Sequence, residues 1–85
     1  MSRQLIVEGD PIDHGGQVLA GCPRNRIGGR AIARLGDPVW CLQHGPTVIV
    51  EGCASACIEG RPLALAGHRT ACGATLIGSS GALVE

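Results

Sequence analysis

The stretch "GQVLAGCPRNRIGGRAIARLGD", Gly16 to Asp37, has a counterpart in "TVIVEGCASACIEGRPLALAGH", Thr47 to His68. The two align without a gap: Val18 falls on Ile49, Gly21-Cys22 on Gly52-Cys53, Ile27 on Ile58, and Gly29-Arg30 on Gly60-Arg61. A repeat of this length is one supersecondary piece that needs its neighbours to bury its apolar face. Each copy reads as short strand, turn, short strand, Gly-centred reversal, short strand. The apolar runs "QVLAG" and "TVIVEG" have strand length, "CPRN" and "CASA" fill the turns, and "GGR" and "EGR" reverse the chain. The closing runs "AIARLG" and "LALAG" lead into a Gly-Asp or a Gly-His loop.

A third copy is present as two halves. "CGATLIGSS", Cys72 to Ser80, has the character of an opening, as "HGPTVIVEG" does; "LIVEGD", Leu5 to Asp10, has that of a close, as "ARLGD" does. The chain therefore reads as a circle of three similar units cut inside one of them. The expected fold is all-β and pseudo-threefold, built from short strands and hairpins with apolar faces turned inward.

Composition agrees with that fold and narrows the function. In 85 residues there is no Phe, no Tyr and one Trp, so the core must come from Val, Ile, Leu and Ala. A chain this short has a marginal core and benefits from a staple. Fourteen Gly and five Pro point to tight turns rather than a helical bundle. Seven basic and seven acidic residues cancel, which argues against nucleic acid as a partner. The start "MSRQLIVEGD" lacks the apolar core of a signal peptide, and no run reaches membrane-spanning length. Synthesis and folding in the cytoplasm are expected. Five cysteines in that compartment are read as thiols or metal ligands, not as a disulfide framework.

The loops supply candidate ligands. His14, His44 and Cys72 each stand directly before Gly at a loop end, and threefold symmetry would gather them at one axis. A closed structural zinc site needs four donors, one more than a symmetric ring supplies. His68, in the slot held elsewhere by Asp10 and Asp37, is the predicted fourth, four residues before Cys72. The predicted set is thus His14, His44, His68 and Cys72. Cys41 competes: it follows Asp37 by four residues, as His14 follows Asp10 and Cys72 follows His68. The shared His-Gly favours His44, and spacing alone leaves Cys41 open. Cys22, Cys53 and Cys57 are expected to be small buried fillers. Asp13 reads either as an outer partner of His14 or as a turn residue. Four donors leave no open position, and paired carboxylates, a nucleophile elbow and a phosphate loop are all missing. No catalytic residue and no enzymatic activity are expected; the metal is a staple whose binding free energy becomes folding free energy.

"GDPIDHGG", "GGRAIARLGD", "CLQHG", "EGRPLALAGH" and "GHRTACGATLIGS" resemble, in order and spacing, the motifs of the PAAR-repeat family. Those proteins cap the spike of the bacterial type VI secretion machine and of related contractile tails. The eponymous Pro-Ala-Ala-Arg is incomplete here, as Ala31-Ile32-Ala33-Arg34 and Pro62-Leu63-Ala64-Leu65. The resemblance implies a small cone of β-hairpins with one structural zinc near its apex, held by three His and a Cys; carried over, these are His14, His44, His68 and Cys72. It implies a broad base seated on a trimeric VgrG-type spike, one chain per trimer. It further implies separate effectors or adaptors as cargo, contact with a target membrane only on firing, and export by the machine itself. One domain over residues 1–85, with its core at about 8–80 and no fused effector, is expected. The alternatives are the tip of a phage-type tail spike and a stand-alone zinc adaptor that recruits cargo.

Overall fold

The computed structural model describes residues 3–79, 81, 83 and 84. Among them there is no helix. Nine short strands follow in chain order: β1 Arg3–Gln4, β2 Gly16–Val18, β3 Cys22–Ile27, β4 Arg30–Ile32, β5 Pro38–Cys41, β6 Gly45–Val48, β7 Cys53–Ile58, β8 Arg61–Leu63 and β9 Leu83–Val84. The repeat predicted from sequence appears as hairpins. β3 and β4 close on Gly28-Gly29 at φ 58° and 82°, and β7 and β8 on Glu59-Gly60 at φ 52° and 82°. Two left-handed residues make the type I′ reversal that suits strand twist. Ile27 pairs with Arg30, Ile58 with Arg61, and Val84 with Arg3. The two ends of the chain thus pair where the third reversal would stand, which is the cut in the circle.

"CPRN" and "CASA", expected to fill turns, instead lie within β3 and β7. Cys22 opposes Ile32 while Arg26 opposes the adjacent Ala31; likewise Cys53 opposes Leu63 and Cys57 opposes Pro62. A six-residue strand faces a three-residue one, so the surplus leaves the ladder as a bulge.

The threefold relation is written in backbone hydrogen bonds. Ile6 N–H donates to Ala64 O at 3.0 Å, Ala64 N–H to Ala33 O at 3.1 Å, and Ala33 N–H to Ile6 O at 2.8 Å, a cycle that closes on itself. Three equivalent pairs repeat the relation as a second ring: Ile12 with Leu76, Val39 with Val18, and Thr70 with Ile49. The core lies on both faces of the first ring. Ile6, Ala33 and Ala64 pack with Ile12, Val18, Val39, Ile49 and Leu76 on one side; the flanking Leu5, Val7, Ile32, Leu63 and Leu65 pack on the other. Strand alternation sends neighbouring residues to opposite faces, so three-residue segments are enough to build both layers.

One Ile and two Ala fill the first ring, all fully buried. Ile6→Ala should cost about 2–5 kcal/mol through the cavity it leaves. Ala33→Ile should cost about 1–3 kcal/mol by overpacking. The double variant moves the same volume around the ring and should lose clearly less than the sum, measured by urea unfolding.

The symmetry fails in one loop. Val18 N–H reaches back to Asp10 O, Ile49 to Asp37 O, and Leu76 to His68 O, at 2.9, 3.1 and 2.9 Å. The first and third spans are eight residues long, but the middle one is twelve. The four extra residues lengthen this loop into the β5–β6 hairpin, which lies against β2 as a three-stranded sheet.

Candidate metal centre

Four residues after each of Asp10, Asp37 and His68 stand His14, Cys41 and Cys72. These are the symmetric positions, and the structure brings them together. The extra length of the middle loop folds His44 back over Cys41. The ligand atoms of His14, Cys41, His44 and Cys72 all lie within 4.8 Å of one another. Cys41 Sγ is 3.4 Å from His44 Nδ1 and 3.9 Å from His14 Nδ1. The two imidazole rings stand 5.5 Å apart. Cys41 is fully buried, His14 and Cys72 are half-buried, and His44 is exposed, so the cluster opens on one side only.

Backbone contacts hold the three loops to this point. Leu42 N–H donates to Gly15 O at 3.0 Å, and Ala71 N–H to Val48 O at 2.8 Å. Cys72 N–H donates to Thr47 Oγ1 at 3.2 Å. On β2, Gly16 has φ 118° and pairs with Cys41; a Cβ there would stand 1.9 Å from the Trp40 carbonyl oxygen. Only glycine lets β5 approach closely enough to deliver Cys41.

Three of the four predicted residues, His14, His44 and Cys72, meet here, but His68 does not join them. The fourth member is Cys41. His68 does the work of the aspartates whose slot it occupies. Asp10 Oδ2 accepts Val7 N–H at 2.9 Å, Asp37 Oδ2 accepts Arg34 N–H at 2.7 Å, and His68 Nδ1 accepts Leu65 N–H at 3.0 Å. In each unit this bond closes the turn that follows the first-ring residue Ile6, Ala33 or Ala64. His68 is therefore a turn residue with an imidazole in place of a carboxylate. The four-residue spacing is the signal that matches this cluster. The shared His-Gly was no reason to exclude Cys41, because the longer loop places both Cys41 and His44 in the cluster.

Sequence reasoning missed Thr70. It occupies the second-ring position held elsewhere by Ile12 and Val39, and it is buried. Ala74 N–H donates to its Oγ1 at 3.2 Å, Ala74 O lies 3.5 Å from the same hydroxyl, and a hydrogen bond joins Oγ1 to Cys72 Sγ at 3.1 Å. That bond is the largest cause holding the Cys72 thiol at about 6, well below the usual thiol range; burial opposes it, and the Ala74 backbone, Cys41 and His14 add to it. A polar residue in an otherwise apolar repeat column is the signal that would have found Thr70. Thr70→Val keeps the shape and removes the bond, and should weaken metal affinity by about 10–100-fold in a chelator competition.

The remaining candidates stand apart. Asp13 lies 4.0 Å from His14 Nε2, beyond hydrogen-bond length, and its carboxylate accepts Thr75 N–H at 2.8 Å, so it ties loops together. Cys22 is the buried filler expected, bonded by Asn25, but Cys53 is half-buried and Cys57 is exposed on β7. The bulge turns Cys57 outward, opposite Pro62 rather than Leu63.

Two imidazoles and two thiols are a donor set suited to a four-coordinate ion of intermediate softness. Tetrahedral sites with bonds of about 2.0–2.3 Å have ligand–ligand edges of roughly 3.3–3.8 Å. The Cys41–His44 and Cys41–His14 distances are already close to that range. With all four donor atoms within 4.8 Å of one another, the residues present fit such an ion. The family model described as PAAR motif matches residues 8–78. No curated protein matches the chain.

Proposed function

The chain belongs to the PAAR-motif family, the spike tips of contractile injection machines, and from that premise we propose that it caps a trimeric VgrG-type spike as a rigid tip stapled by one zinc ion. The observation that carries the reading is the closed backbone cycle through Ile6, Ala33 and Ala64, together with the family match. A single chain with three similar flanks offers each subunit of a homotrimer a similar surface, so one tip suits one trimer. Co-expression with a VgrG-type spike and native mass measurement tests this. One chain per trimer is the expected result; no association, or three chains per trimer, overturns it.

The zinc would be held by His14, Cys41, His44 and Cys72. When bound it supplies a cross-link among loops distant in sequence, which suits a chain whose apolar core is small. Four protein donors leave no position for substrate, so the role is structural and no catalysis is proposed. Metal analysis of purified protein should return one zinc per chain. In this reading the tip is assembled in the cytoplasm, leaves with the spike on firing, meets a target membrane only then, and carries effectors or adaptors as separate chains.

A further inference from the structure

We infer that Cys41 and Cys72 form a dithiol that a disulfide oxidant closes into a cystine, so that a covalent bond and a metal ion are interchangeable staples at one point of the fold. The metal half of this statement rests on the zinc reading above; the thiol half rests on geometry alone. The two sulfurs lie within 4.8 Å, on loops that meet only through the tertiary fold. The other three cysteines are carried by β3 and β7, in the hairpins. The pair is also graded in access, since Cys72 is half-buried and Cys41 fully buried.

That grading orders the chemistry. The oxidant is a small-molecule disulfide such as oxidised glutathione. The Cys72 thiolate attacks one of its sulfurs, the S–S bond breaks, and one thiolate leaves and takes a proton from water. A mixed disulfide on Cys72 results. The Cys41 thiolate, too enclosed to meet the oxidant itself, attacks the Cys72 sulfur and expels the second small thiolate. The protein loses two electrons and the small disulfide gains them. A cystine sulfur is no longer a thiolate ligand, so closure would leave only His14 and His44 as donors and would release a bound ion. The loops remain tied, now by a bond of about 2.05 Å between residues whose sulfurs were already neighbours.

The full chain, both metal-loaded and metal-stripped, is treated with oxidised glutathione under native conditions. Intact mass, peptide mapping and a chromophoric zinc indicator are the readouts. A Cys41–Cys72 cross-linked peptide is expected in both samples, with a mass loss of two hydrogens and one ion released per cross-link in the loaded one. The Cys53→Ser/Cys57→Ser variant should behave identically. A lasting glutathione adduct on Cys72, cross-links through Cys22, Cys53 or Cys57, or a cystine that retains the metal would overturn the inference. If the chain takes up no metal, the zinc reading fails, and the stripped sample still decides whether the dithiol closes.

Discussion

Cys41→Ser should lower metal affinity by more than about 100-fold, beyond the roughly 10–100-fold that loss of an outer partner costs, while His68→Asp should leave affinity unchanged. The first substitution removes a donor that touches both histidines, at 3.4 and 3.9 Å. The second restores to the third unit the residue type of Asp10 and Asp37. Arg30 reaches Asp10 at 3.8 Å and Arg61 bonds Asp37, whereas Arg3, in the corresponding place, bonds the Ala66 carbonyl. A carboxylate at 68 would accept Leu65 N–H and face Arg3, so stability should rise by about 1 kcal/mol. Isothermal competition against a chelator reads the affinities; loss of metal from the His68→Asp chain would return His68 to the ligand set.

The same substitution should change the response to acid. Burial lowers the His68 pKa from 6.5, and the nearby Arg3 charge lowers it further, against Glu51. The folded chain therefore binds that proton less readily than the unfolded chain. Its contribution to stability is complete above about pH 6.5 and is lost as pH falls through that value toward the lower folded pKa. A proton on Nδ1 also removes the acceptor for Leu65 N–H. Melting curves of metal-free protein at pH 7.5 and 5.5 should show a smaller acid loss in the His68→Asp chain than in the natural one.

Gly16→Ala should unfold the protein or separate β2 from β5. The added Cβ would stand 1.9 Å from the Trp40 carbonyl oxygen and 3.2 Å from Cys41 Cα, both backbone atoms that a side-chain movement cannot clear. The backbone at φ 118° adds its own strain for any L side chain. A loss above about 4 kcal/mol is expected, in the class of exceptional single substitutions and a large share of a small domain's stability. Gly28→Ala is the matched control. Its φ is 58° but nothing lies within 4 Å, so the cost should be only about 1–2 kcal/mol. Urea unfolding followed by circular dichroism separates the two, and the Gly16 variant should also fail to retain metal because it displaces Cys41.

The repeat was legible because the physics that makes each unit is local. Gly-Arg at the end of a two-residue reversal, and aliphatics at Val18 and Ile49, mark the same hairpin and the same inward face twice. The bulges were not legible, because "CPRN" and "CASA" have turn composition and only the pairing of Cys22 with Ile32 and of Arg26 with Ala31 shows them inside a strand. Thr70 was passed over for a related reason: its column becomes a core column only once Ile12, Val39 and their partners are seen to form a ring.

The sequence by itself determined an all-β circle of three units, its family, and a cluster of His and Cys near one axis. It even carried the four-residue spacing that makes His14, Cys41 and Cys72 equivalent. Tertiary structure alone decided the membership of that cluster. A ligand set is a matter of where side-chain ends converge, and the convergence depends on a four-residue excess in the middle loop that folds His44 back onto Cys41. The same structure gives His68 a backbone N–H to hold, which turns its likeness to a ligand into the role of an aspartate.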